Sequence, residues 1–186
     1  VIAFPKSGGG YDPLTQAPRV LQGTLSAPLT GELGQAARAW ALAQREVLRL
    51  PKDADLKVGP GFLTRFGAAV RLQEQVDGVD VEGAQVVVTL DAQRRVVLVT
   101  SSLSPVQRVV RDWRVAGEEA LQRAAKTVRF AIVKNGRTPG GARQAYFVVG
   151  DALHSGWLTY VPTADVRDNW LLAVDATTGE ILWSQN

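Results

Sequence analysis

The sequence predicts an α+β chain built as two tandem modules, each a helix packed on an antiparallel sheet. Two observations carry this. A helix followed by alternating strands occurs twice, which is the pattern of helices segregated to one face of a sheet. Each run also closes on the same turn: "LDAQRRVVLV" from Leu90 and "VDATTGEILW" from Val174 share an aliphatic residue, an Asp-Ala pair and a strand that restarts after a similar interval.

Residues 1–29 are rich in Gly, Pro, Ser and Thr, with Gly8-Gly9-Gly10 near the start, and read as an extended arm. The first helix follows. Thr30 is placed to cap it, Glu32 sits favourably near its positive end, and Pro51 stops it. Between them Leu33, Ala37, Trp40, Gln44, Val47 and Leu48 share a face, with Trp40 as a core anchor. Gly59-Pro60-Gly61 reads as a turn leading into a hairpin region. Phe66 to Val76 is the next strand, with Val70, Leu72 and Glu74 on one face and Arg71, Gln73 and Gln75 on the other. Asp77-Gly78 turns the chain, because glycine takes positive φ without steric cost. Val79 to Leu90 forms a strand interrupted at Gly83, where a bulge is expected, and Val96 to Thr100 returns from the Asp91 turn.

The second run starts after a junction that contains Pro105 and the cluster Arg108, Arg111 and Arg114, read as a solvated linker. Glu118 to Val128 is a short helix with Ala120, Leu121, Ala124, Ala125 and Val128 on its apolar side. A loop through Asn135-Gly136 and Gly140-Gly141 leads to strands at Ala145–Val149, Gly156–Val161 and Asn169–Val174, and a last one at Ile181–Ser184. Trp157, Tyr160, Trp170 and Trp183 concentrate aromatic volume in this module. The division is therefore 1–29 for the arm, 30–104 for the first module and 105–186 for the second.

Composition narrows the function. Apolar residues make up 46% and charged residues 21%, as in ordinary globular chains. The net charge of +3, from 21 basic and 18 acidic residues, is too small and too dispersed for a nucleic-acid face. Cysteine is absent, which excludes disulfides, thiol catalysis and Cys-ligated zinc. Methionine is absent too, so Val1 reads as the product of trimming. No apolar run is long enough to span a bilayer.

Enzymatic patterns are missing: no HExxH, GxSxG, GxxxxGK or GxGxxG. The single histidine, His154, is expected to be a solvated or turn histidine between two strands. Two close acid pairs could in principle work together, Asp77 with Asp80 and Glu118 with Glu119. The first flanks a hairpin turn and the second opens a helix, so each has a structural reason. Asp53 and Asp55 lack the oxygen spacing of a calcium loop. Neither catalytic nor metal-binding residues are expected.

The stretch "VRLQEQVDGVDVEGAQVVVTLDAQRRVVLVTSSL" resembles the fungalysin/thermolysin propeptide (FTP) module. Arg71, Gln73, Gln75, Gly78, Val79, Val81 and Gly83 stand at the matching places. "DNWLLAVDATTGEILWSQN" is similar to the close of a PepSY domain, through Trp170, Val174, Asp175, Ala176, Thr178, Gly179, Glu180 and Ile181. "AGEEALQRAAKTV" matches the helix that opens such domains. Asp80 departs from the family's usual proline, and Arg95 stands where the first Asp turn often has glycine.

The resemblance implies cystatin-like modules, each a helix on a curved antiparallel sheet. It further implies the propeptide of a secreted zinc metalloprotease, a folding assistant and noncovalent inhibitor of the catalytic domain until cleaved. The partner would be that catalytic domain, and zinc would belong to it; no cofactor is expected in this chain. Arg71, Gln73, Gln75, Gly78, Val81, Asp175 and Gly179 would determine the fold, and Trp183, Ser184, Gln185 and Asn186 would form a partner-binding or cleavage tail. Secretion or a periplasmic location follows from the same role. The alternative is a stand-alone PepSY-type protease-inhibitory or peptide-binding module of the cell envelope.

Overall fold

The computed structural model describes residues 17–104, 106, 108–128, 141–162 and 169–186, and the chain divides into two units, Val1–Pro105 and Val106–Asn186. Most of the glycine-rich arm and the loop at 129–140 lie outside the described residues.

In the first unit β1 (Val20–Gln22) precedes α1 (Leu33–Ala43) and α2 (Arg45–Leu48), and then come β2 (Ala54–Thr64), β3 (Gly67–Val76), β4 (Val79–Asp91) and β5 (Val96–Ser101). All the pairings are antiparallel, in the order β1-β5-β4-β3-β2. Helix α1 lies against β2 and β3 and buries Ala37, Trp40 and Ala41. The sheet contributes Leu56, Leu72, Val76, Val81, Val86, Val88 and Leu90, each 2% exposed or less. Burial of this many aliphatic side chains, at about 25 cal/mol per Å² of apolar surface, is the main stabilising term for the unit.

The first helix differs from its sequence reading at both ends. Gly31, at φ +87°, turns the chain so that the capping position falls on Glu32 and not Thr30. Both Glu32 carboxylate oxygens accept from the first turn, from Gly34 N (2.8 Å) and Gln35 N (2.7 Å). Those backbone donors hold the Glu32 carboxyl below its ordinary range. The helix stops at Ala43 and resumes for one turn as α2. Arg49, in the left-handed region at φ 57°, ends it two residues before Pro51.

Three strands escaped the sequence reading. The largest is β2: Gly59-Pro60-Gly61 is not a turn but the bulge of an eleven-residue strand, with the register shift falling between Val58 and Gly61. Proline is tolerated there because β2 lies at the sheet edge. Within the arm, β1 pairs with β5, and within the Arg-rich junction, β6 (Arg108–Val110) pairs with β8. Each has only three residues, too few for a period to show.

The second unit follows β6 with α3 (Gly117–Thr127), β7 (Ala142–Val149), β8 (Ala152–Val161), β9 (Trp170–Asp175) and β10 (Ile181–Gln185). Strands β7-β8-β9-β10 pair antiparallel in that order, while β6 runs parallel to the first residues of β8. Ala120, Ala124 and Ala125 of α3 pack on Val161, Leu172 and Val174, with Trp157, Trp170 and Ile181 around them. Both units thus place a helix on an antiparallel sheet, the α+β architecture expected from the sequence.

Candidate functional site

The motif residues form the framework of the β3–β4 hairpin. Asp77 and Gly78 at its tip both have positive φ, 52° and 77°, as a two-residue hairpin turn of this hand requires. Gln75 secures that turn: its Nε2 donates to Gly78 O (3.1 Å) and to Asp80 Oδ1 (2.7 Å). Lys57 approaches the same Asp80 oxygen at 3.5 Å. Asp80 therefore has a structural task at the position where the resemblance leads one to expect proline.

One step along, Gln73 closes a larger irregularity. Pairing passes from Gln73↔Gln85 to Gln75↔Asp80, so four residues of β4, 81–84, bulge opposite Glu74 alone. Gln73 Nε2 fills the gap by donating to Val81 O and Ala84 O, each at 2.7 Å. Val81 is fully buried inside the bulge, and Gly83 takes the turn at φ +76°. Arg71, on the same face as both glutamines, is exposed. The structure thus brings Gln73, Gln75, Gly78 and Val81 together in one hairpin.

Glu74, on the opposite face, is fully buried. Its Oε2 accepts from Ser104 N at 2.7 Å, while Oε1 has no partner among the described residues. Burial raises this carboxyl to about 7, against the smaller opposing effect of the Ser104 N–H. Ser102 binds the same strand end to the bulge, its Oγ donating to Gly83 O at 2.8 Å and accepting from Gln85 N at 3.2 Å. The segment leading to the unit boundary is therefore fastened to the motif hairpin.

The two Asp-Ala turns share a device. Asp91 Oδ1 accepts from Gln93 N and Arg95 N, both at 2.9 Å. Asp175 Oδ1 accepts from Thr177 N (2.7 Å) and Thr178 N (2.9 Å). In each case a carboxylate supplies an acceptor that the reversing backbone lacks. The Arg95 N–H, first among several donors, holds the Asp91 carboxyl below its usual range. The left-handed residue of the first turn is Arg94 (φ 64°), one position ahead of Arg95, whereas the second turn uses Gly179 (φ 76°). A Cβ on Gly179 would meet Arg123 Nη1 at 2.0 Å.

The second turn also holds the chain that enters the unit. Thr177 Oγ1 donates to Asp112 O at 3.2 Å, and Val115 N donates to Ala176 O at 2.7 Å. Ser155 Oγ donates to Asp112 O at 2.6 Å and accepts from Asp112 N at 3.1 Å. Trp113, unremarked in the sequence, packs edge-on to Trp157 with ring centroids 5.6 Å apart. His154 is not in a turn; it lies in β8 with Nδ1 3.4 Å from Asp175 Oδ2. Ser155 and Leu153 on either side of it are buried.

Of the tail, Trp183 packs edge-on against Phe147 at 6.2 Å. Ser184 and Gln185 pair with Leu172 and Leu171 as part of β10, and Asn186 follows it. Among the acid pairs, Glu119 forms an ion pair with Arg123 at 2.7 Å. Among the described residues no cluster of His, Cys, Asp or Glu is arranged to hold a metal ion, and no helix is long and apolar enough to cross a membrane.

Known proteins bear on the hairpin most directly. Residues 67–103 match the Fungalysin/Thermolysin Propeptide Motif, and this stretch holds β3, β4 and β5 with the bonds that Gln73 and Gln75 make. The C-terminal domain of Bacillus megaterium YpeB is similar at a TM-score of 0.44 and 13% identity, over 94% of this chain and 79% of that one. A candidate lipoprotein of Clostridium difficile gives 0.30 and 11%, over 79% and 89%. At such scores neither likeness bears on fold or function. A 32-residue stretch is 69% identical to part of an aspartate–tRNA(Asp/Asn) ligase of Beutenbergia cavernae; it is 17% of this chain and spans only 4% of that enzyme. The chain thus matches a protease-propeptide motif over residues 67–103, the stretch that forms the central strands β3, β4 and β5 of its first sheet.

Proposed function

We propose that this chain is the propeptide of a secreted zinc metalloprotease of the fungalysin/thermolysin kind, acting on the catalytic domain as folding assistant and noncovalent inhibitor. The observation that carries it is the propeptide motif at residues 67–103. The second unit is read as PepSY-like, from the helix at Gly117 and the Asp175–Gly179 hairpin. Zinc and catalytic groups belong to the partner, and this chain works by binding alone.

The physical basis is ordinary. Binding a native-like catalytic domain more tightly than its unfolded chain shifts its folding equilibrium by linkage. A tethered inhibitor enjoys a high effective concentration and loses it on cleavage. In this reading the second unit docks on the protease, with Trp183 to Asn186 lying near the active-site cleft. The modules 30–104 and 105–186 act as the two working parts, outside the cytoplasm.

The test is inhibition in trans. The purified chain is titrated into the metalloproteases secreted by its own source, with a thermolysin-fold protease as comparison, and each is refolded from denaturant with and without it. Saturable inhibition that fades as the chain is digested, together with a higher refolding yield, is expected. Neither effect on the metalloproteases of its own source, with the chain intact, would overturn the reading in favour of a stand-alone envelope module.

A further inference from the structure

The outer edge of β2 is protected along only half its length. Arg38 Nε donates to Leu56 O at 2.6 Å, and Arg45 Nη2 to Ala54 O at 3.0 Å. Two helix side chains thus cover carbonyls that an edge strand would otherwise offer to another chain. Ala54 and Leu56 lie opposite Val76 and Glu74; continuing in steps of two along β3, Leu72, Val70 and Ala68 face Val58, Gly61 and Leu63. These three residues therefore turn their backbone groups outward as well, the bulge at Gly59-Pro60 having kept the alternation in step. Among the described residues no side chain bonds the edge beyond Leu56.

Apolar surface gathers at the same place. Phe62, Leu63 and Phe66 are 55%, 85% and 69% exposed. Beside them, Leu33, Leu63, Ala68 and Leu90 line an open cleft at the start of α1. Local charge is one-sided, since from Val58 to Gln73 the sequence contains Arg65 and Arg71 and no acid. Arg65 lies over the Phe66 ring, 4.4 Å from its centroid. The two nearby acids are engaged, Glu32 in capping α1 and Asp91 in its turn with Arg95.

We propose that the edge from Val58 to Thr64 binds an extended segment of a partner protein as an added strand, one that alternates apolar residues and carries a carboxylate toward Arg65. Open backbone donors and acceptors give such a strand its affinity, and the cleft and Arg65 select its side chains. A lipid surface would engage the aromatic tip but leave the backbone edge unused. A second copy paired antiparallel about Gly61 would set Arg65 against the copy's Lys57, like charge on like. The proposal concerns a surface apart from the motif framework and holds whether or not the partner is a protease.

A phage library of random ten-residue peptides, selected on the whole chain and counter-selected on Leu63→Lys, tests it. Leu63 is 85% exposed, so the variant keeps its fold, which circular dichroism checks. Alternating apolar sequences containing Asp or Glu are expected. A synthetic winner should shift the amide signals of Val58, Gly61 and Leu63 while sparing Ala54 and Leu56, bind Leu63→Lys at least about tenfold more weakly, and lose its acidic preference on Arg65→Glu. No enrichment over the variant overturns the proposal. So does binding only to phosphatidylcholine–phosphatidylglycerol vesicles that Phe66→Ser abolishes, or a dimer in sedimentation that Leu63→Lys abolishes.

Discussion

Glu74 accepts a hydrogen bond from the backbone N–H of Ser104 at 2.7 Å, inside the first unit and one residue before its boundary. The carboxyl is buried, its other oxygen is unpartnered among the described residues, and its pKa is raised from 4.5 to about 7. An acid with a raised folded pKa binds its proton more tightly folded than unfolded. The stability it lends is complete below pH 4.5 and is lost as pH rises towards 7. The shift corresponds to roughly 3 kcal/mol across that window. Denaturant midpoints measured from pH 4.5 to 8 should fall for the native chain and run nearly flat for Glu74→Gln. Parallel slopes in the two proteins would remove Glu74 from the account.

Gly78 has open space around the position of a Cβ, so a substitution there meets only backbone strain. At φ +77°, Gly78→Val is expected to lose about 1–3 kcal/mol, and Gly78→Asn appreciably less, because asparagine tolerates the left-handed region. Under the proposed function the valine variant also yields less inhibited protease. Thermal melts of the two variants decide it; equal losses would show that the turn does not need positive φ.

Two other glycines separate rigid from yielding neighbours. A Cβ on Gly67 would stand 1.9 Å from the Leu90 carbonyl oxygen, a backbone atom fixed in the β3–β4 ladder. On Gly179 it would meet the end of Arg123, which can swing away and give up its bond to Thr178 O. Gly67→Ala should cost more than about 3 kcal/mol and Gly179→Ala about 1–2. Chemical denaturation gives the order, and a reversed order would contradict the packing.

Gln73 places one amide between the carbonyls of Val81 and Ala84. Removing it in Gln73→Ala leaves two part-buried acceptors without their donor, and a loss of about 1–3 kcal/mol is expected. Gln73→Glu, which turns a carboxylate on the same oxygens, should be worse than alanine at pH 8. Hydrogen exchange at Val81 to Ala84 would report whether the bulge itself opens.

Long periodic elements are legible from the residues alone: α1, α3, β3 to β5 and the four antiparallel strands β7 to β10 are all foreseen to within a few residues. So is the face on which Glu74 lies. The sequence hid β2, because Gly59-Pro60-Gly61 is chemically a turn signal, and only the neighbouring strand makes it a bulge. It hid the capping role of Glu32, which depends on where Gly31 turns the chain. The tasks of Gln73 and Gln75 were invisible for a related reason. Both stand at motif positions, but the carbonyls they bind come from a turn three residues on and a bulge eight to eleven residues on.

The paired Asp turns have a kinetic side. Asp91 and Asp175 close their reversals through bonds to residues two to four positions on. Joining such near neighbours restricts little chain, so these loops form at small entropic cost, ahead of long-range strand pairing. Each unit thus contains its own early seed, set close to its last strands. A chain carrying two such seeds can begin to organise both halves independently, without either half waiting for the other.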